Sequence, residues 1–370
     1  MGPHRSLSSP LRWARLAAVA ALAGSAGCTL VAGLGGDYTL APGDGGADAT
    51  APLDGPTPPP TDAPPPPPFD APVPPVSGAG RVLYSLQGTY LLLEARAGAS
   101  PGAVEPALNA VSPGKDTRMN LGADGSIVVE TSRFGCSDPC LAVFTPDLKT
   151  GERVLAGGSP VTNMRDVVPA VAGNGALVVF GGQGPHSRDL YESHRSGGPG
   201  GAWSAPALLT GGSNQPNNFK PSISPDGSRV LFDCGTNPFG SDSTGICEVG
   251  MDGSGFRRVI GPEGGPGGGK NTHSPSYGRD GTIVFEGEWG SEQIWRIPPG
   301  GTSPVLVNGS FSNDNTPCVL PNGKVASLWL QRPGNPQGFH ELKIMNGDGT
   351  DMVMLVTGVD VDDIGLGCGN

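Results

Sequence analysis

Charge is scarce in this chain, and positive charge is scarcest: 15% of residues are charged, with 23 lysines and arginines against 34 acids. A surface this poor in basic groups offers little to a phosphate backbone or an anionic headgroup, which excludes nucleic-acid binding through a basic face. It suits cations, basic partners or plain solubility. The longest apolar run, "LAAVAALAG" near the N-terminus, falls short of the ~20 residues of a comfortable membrane span. No two cysteines have the two-residue spacing of zinc ligands. Among the histidines, His186, His194, His273 and His340 stand in no metal-helix spacing and beside no recognisable nucleophile motif. Helical periodicity is missing too, and 62 glycines and 40 prolines favour a chain rich in turns.

What is present is a unit that recurs five times, opening at Asp116, Asp166, Asn218, Thr272 and Asp314. A polar residue is followed three positions later by proline, except in the first copy, where Met119 stands there. An Asp-Gly or Asn-Gly turn follows, at Asp124, Asn174, Asp226, Asp280 and Asn322, and is expected to supply the positive backbone angles of a tight hairpin. After each turn comes an apolar, β-branched run such as "RVLF" or "TIVF", then a third strand ("GICEVG", "EQIWRIP") and an outer one ("RRVIG", "PVLVN"). Four antiparallel strands recurring every 40 to 55 residues or so are the signature of propeller blades, which must stack around an axis to bury both faces.

Two fragments remain. Residues 81–96 read as later strands without an inner one, and residues 359–370 read as an inner strand with nothing after it. Joined, they make a sixth blade from both chain ends and leave the ring without exposed edges. The expected fold is therefore all-β, a six-bladed propeller over residues 79–370.

The repeats "KPSISPDGSRVLFDC" and "SPSYGRDGTIVFEGEWGSEQIWRIPPGG" resemble those of the TolB C-terminal propeller family. The resemblance covers about residues 80–370 and implies the propeller fold. It carries no activity with it, because propellers host many unrelated functions.

The N-terminus points to an address. Arg5, Arg12 and Arg15 precede the apolar run, which ends in Ser25-Ala26-Gly27-Cys28. This pattern resembles a bacterial lipoprotein signal over residues 1–27, with Cys28 lipidated as the first mature residue and the protein held at the outer membrane. Residues 28–78, rich in Pro, Gly, Ala and Asp, read as a disordered or polyproline II tether extending up to about 3.1 Å per residue. Without residues 1–27, 20 basic residues face 34 acidic ones, a charge of −14.

Setting Cys28 aside leaves six cysteines, an even number in an oxidising compartment. Cys136 and Cys140 are close enough around a turn to pair, and Cys234 and Cys247 flank the loop between successive strands. Cys318 and Cys368 then remain, and pairing them would lock the ring.

Candidate binding residues are few. Asp116, Asp166, Asn218, Asn271, Asp314 and Asp360 hold similar places at the start of the inner strands. Converging at one mouth of the channel, they can bind calcium or attract a basic group. Alternatively, each caps backbone donors in its own turn. His273 falls in an inner strand, and Trp289, in an expected loop, is a candidate sugar-stacking contact. The stretch "GGPGGGKN", from Gly264 to Asn271, has phosphate-loop spacing, but Asn271 stands where serine or threonine is required and a strand follows, so it reads as a linker. The functional classes left are a non-catalytic scaffold binding an envelope protein, peptide or glycan, and a carbohydrate-active propeller using axial carboxylates.

Overall fold

A computed structural model describes residues 78–162, 167–236, 244–264, 271–330, 338–362 and 365–370. The expected lipidation site Cys28, the signal and tether segments up to residue 77, Asp166 and most of the glycine-rich stretch before Asn271 lie outside the described residues.

Six four-stranded antiparallel sheets form the propeller. In the third, fourth and fifth blades the inner strands are Asn217–Ile223, Thr272–Tyr277 and Asp314–Val319. Their neighbours, Arg229–Gly235, Ile283–Gly287 and Val325–Trp329, are buried almost throughout. The sixth blade is built from both ends of the chain: Gly367–Gly369 is its inner strand and pairs antiparallel with Arg81–Leu86, placing Val82 opposite Cys368. Closure by this route removes the sheet edges on which another chain could template.

The period-2 pattern of each second strand explains the stacking. In the third blade Val230 and Phe232 pack toward the second blade, whereas Leu231, between them, packs toward the fourth. The core accordingly divides into six apolar clusters, one per seam between neighbouring blades. Burying both sheet faces is what makes "VLF" and "IVF" continuous apolar runs rather than alternating ones.

The repeat's proline acquires a backbone explanation. Lys220, Ser274 and Thr316, each immediately before that proline, adopt left-handed angles of φ 50°, 53° and 49°. The ladder slips at the same point in each blade, between Phe219 and Ser222, His273 and Ser276, and Asn315 and Cys318. The bulge falls after the same position in these three blades and leaves the preceding pairs equivalent: Asn218, Thr272 and Asp314 sit opposite Cys234, Gly287 and Trp329, so the counterpart of Asn218 and Asp314 in the fourth blade is Thr272, as the spacing to proline has it, and not Asn271.

The hairpin turns differ from expectation in detail. Only the glycines Gly125, Gly227, Gly281 and Gly323 are left-handed in four blades, and each donates its amide to the carbonyl three residues back. That is a one-turn loop ending in a glycine bulge rather than a two-residue hairpin with both residues left-handed. The preceding carboxylate accepts the amide two residues on, as Asp124 does from Ser126 at 2.8 Å and Asp280 from Thr282 at 2.9 Å. Asn174 in the second blade keeps the expected positive φ of 56°.

Three disulfides form: Cys136–Cys140, Cys234–Cys247 and Cys318–Cys368. The last joins the fifth blade to the closing strand, within the cluster that fills that seam.

Candidate functional site

The inner strands have two ends, and each end gathers chemistry. At the turn end, loops from all six blades surround a cavity of about 100 Å³. Ala123 and Asp124, Asn174, Asp226, Arg279, Pro321 and Asn370 represent the six blades in turn. Val171, Ile223, Tyr277 and Val319 form its walls. Its two aspartate carboxylates are already engaged: Asp124 accepts from the Asn174 amide at 2.5 Å, and Asp226 accepts from Ser224 at 2.6 Å and from Ser228 at 2.8 Å. Arg279 is exposed and, among the described residues, pairs with no carboxylate.

The opposite end carries a buried acidic cluster in the seams flanking the fourth blade. Asp233 and Glu286 occupy equivalent places near the ends of their second strands, opposite Phe219 and His273. Their counterpart in the first blade, Glu130, is neutralised by Arg118 at 2.7 Å. Asp233 is fully buried, and neither of its carboxylate oxygens has a hydrogen-bond partner. Its Oδ2 lies 3.6 Å from His273 Nδ1, and on the far side of that ring Nε2 lies 3.8 Å from Glu288 Oε1. Glu286, Glu288 and Glu292 each present a carboxylate oxygen within 4.8 Å of the other two.

Burial sets the electrostatics here. It pushes the Glu286 carboxyl up to about 7, against the pull of Lys220, of His273 and of the Thr316 amide that Glu286 accepts at 3.1 Å. Burial works against charge on His273 as well, but the Asp233 carboxylate, helped by Glu286, outweighs it and holds the imidazole above its ordinary value. A carboxyl raised on folding makes the folded state the better proton binder, so its contribution falls as pH rises from about 4.5 through about 7. With chelator present, Glu286→Gln is therefore expected to stabilise the protein by about 1–3 kcal/mol at pH 8 and to change it little at pH 4.5. Urea midpoints at the two pH values check this, and an equal shift at both would refute it.

No protein-family model matches the chain, and no curated protein matches it either. Solved structures do. TolB from Acinetobacter baumannii aligns at a TM-score of 0.55 with 15% identity, over 80% of this chain and 68% of that one. The chain folds as a TolB-like propeller. Kuenenia stuttgartiensis hydrazine synthase aligns at 0.51 with 13% identity, over 79% of this chain and 46% of that one. A prolyl endopeptidase aligns at 0.46 with 10% identity, over 77% and 43%.

In this TolB-like propeller the described positions of the expected axial ring are engaged within their own surroundings. Asp116 forms a two-point pair with Arg133, at 2.9 and 2.7 Å. Asn218 bonds Ser213 at 3.0 Å and the Arg188 carbonyl at 3.0 Å. Asp314 takes the Lys343 ammonium at 2.6 Å with both side chains fully buried. Asp360 is exposed, well before the closing strand, and accepts the His340 amide at 2.8 Å. Asn271 is buried and donates to Glu288 Oε2 at 3.3 Å, which places it and His273 at the acidic cluster.

Trp289 is not an exposed contact. It is 4% exposed and packs edge-on against Trp295 and Phe285, because the loop after "IVFEG" folds back into the seam between the third and fourth blades. Sequence reasoning missed Asp233, Glu286, Glu288 and Glu292. The available signal was an acid directly after the aromatic of a buried strand, Phe232-Asp233 and Phe285-Glu286.

Proposed function

We propose that this protein is an envelope-tethered, non-catalytic scaffold whose turn-side mouth holds a segment of a protein or peptide partner. The observation that carries this reading is the cavity to which all six blades contribute. At about 100 Å³ it is far smaller than the ~300–1,000 Å³ of a pocket for a free small ligand. It is smaller, too, than the ~150 Å³ cavity that admits benzene. Such a volume accepts one apolar side chain against Val171, Ile223 and Val319, with the surrounding loops contacting the chain on either side. The Arg279 guanidinium at the rim favours a partner with a carboxylate next to that side chain. Tethering through Cys28 and the proline-rich segment rests on the sequence pattern.

The carbohydrate-active alternative draws less support. The three clustered carboxylates lie at the end of the axis opposite the cavity, with Glu286 buried, so they do not flank an open cleft that could hold a glycosidic bond. Trp289, the candidate sugar-stacking contact, is buried.

Photo-crosslinking tests the scaffold reading. A benzoylphenylalanine at Ala123, exposed on the cavity rim, is expected to give a discrete protein adduct in cells. The same probe at Ser187, exposed in a loop at the other end, is expected to give none.

A further inference from the structure

The acidic cluster of the fourth blade is built like a metal site, with two of its carboxylates held by hydrogen bonds at one oxygen. We propose that His273 Nε2 and the carboxylates of Glu286, Glu288 and Glu292 bind one divalent transition cation of the zinc class, with Asp233 as the positioning residue behind the histidine.

Three acids alone would make an ordinary patch; what surrounds them makes these a site. Asp233, fully buried and without a hydrogen bond, faces His273 Nδ1 at 3.6 Å. A carboxylate there fixes the proton on Nδ1 and turns the Nε2 lone pair toward Glu288 Oε1, 3.8 Å away. This is the carboxylate–histidine arrangement that stands behind metal-bound imidazoles. Two acids are held in the same manner. Glu286 Oε2 accepts the Thr316 amide and Glu288 Oε2 accepts the Asn271 amide group, leaving each Oε1 for a ligand.

Distances fit. Bonds of about 2.0–2.1 Å in a tetrahedron put ligand atoms roughly 3.3 Å apart. The three carboxylates already present oxygens within 4.8 Å of one another; His273 Nε2, 3.8 Å from Glu288 Oε1, stands at the edge of that trio and joins it by side-chain rotation. The donor type decides the class, because calcium and magnesium select all-oxygen sites whereas an imidazole among carboxylates suits zinc and its neighbours. Lys220 is the cation already near this cluster; its ammonium donates to Ser274 Oγ at 2.8 Å, and its charge acts on both Glu286 and His273. Binding a second cation therefore requires the net negative charge of Asp233, Glu286, Glu288 and Glu292 together.

The test uses the full chain, chelator-stripped and titrated calorimetrically with zinc chloride and, separately, calcium chloride. One zinc per chain is expected, bound at least 10-fold more tightly than calcium. Glu288→Gln and His273→Gln are each expected to weaken zinc at least 10-fold, and Asp233→Asn by 10- to 100-fold. Cobalt gives a second readout that does not depend on the variants: its visible d–d bands are expected to report a four- or five-coordinate site with nitrogen and oxygen donors. No stoichiometric binding up to millimolar zinc would overturn the proposal. So would unchanged binding in folded His273→Gln and Glu288→Gln variants, calcium binding more tightly than zinc, or an octahedral all-oxygen cobalt spectrum.

Discussion

Replacing Lys343 by methionine is expected to cost about 3–5 kcal/mol of stability. Its side chain is fully buried on the third strand of the fifth blade. The ammonium donates to Asp314 Oδ2 at 2.6 Å and to the Gly309 carbonyl at 3.1 Å. It lies 4.6 Å from the centroid of Phe311 and 5.4 Å from that of Trp329, which stack on each other. Burial raises the Asp314 carboxyl and lowers the Lys343 ammonium, and the attraction of each for the other's charge works against both shifts. Removing only the lysine strands a carboxylate with no water to solvate it, and that penalty dominates over the lost attraction. The double variant Lys343→Met with Asp314→Asn should recover much of the loss, because it removes the stranded charge. Denaturant midpoints of the two variants decide the matter. A loss below about 1 kcal/mol in the single variant, or strictly additive losses in the double, would show that this pair is not an obligate buried ion pair.

Breaking Cys318–Cys368 is expected to destabilise the propeller by about 4 kcal/mol, against about 2 kcal/mol for Cys136–Cys140. The difference comes from the unfolded chain: the first bridge spans a sequence separation of 50 and the second only 4, so it removes far more chain entropy. The bridge also pins the closing strand, whose three residues Gly367–Gly369 are otherwise held by a short ladder to Arg81–Leu86. Paired serine variants compared by urea unfolding should therefore differ by roughly 2 kcal/mol. Equal losses would mean that the chain ends stay docked without the disulfide.

Much of this architecture is legible in the sequence, for a physical reason. Turn residues and β-branched runs act locally, so Asp226-Gly227 with "RVLF" and Asp280-Gly281 with "TIVF" mark hairpins whatever lies around them. Spacing around a turn, the loop between successive strands and the pair left over suggest how the six propeller cysteines join, and all three expected pairs form. Register is less legible. The left-handed residue before each of Pro221, Pro275 and Pro317 adds a bulge that no local pattern announces, and the ladder slips there by a residue. Burial of polar groups is the least legible, because it depends on which blade faces which. The aromatic before Glu286 marks it apart from Glu130, which follows Val129, but no local pattern says that Glu130 meets Arg118 whereas Glu286 meets no arginine or lysine within ion-pair distance among the described residues. Trp289 shows the same limit from the other side: in a loop by sequence, it is core because Trp295 and Phe285 of its own blade leave space for it.

If the partner is recognised at the turn-side mouth, crosslinking from that mouth in cells with the full-length chain is the most direct test. The probe at Ala123 should give one dominant adduct, which should weaken sharply when Arg279→Glu is introduced and be absent with the probe at Ser187. Adducts of equal strength from both positions, or an Ala123 adduct indifferent to Arg279→Glu, would contradict recognition at that mouth.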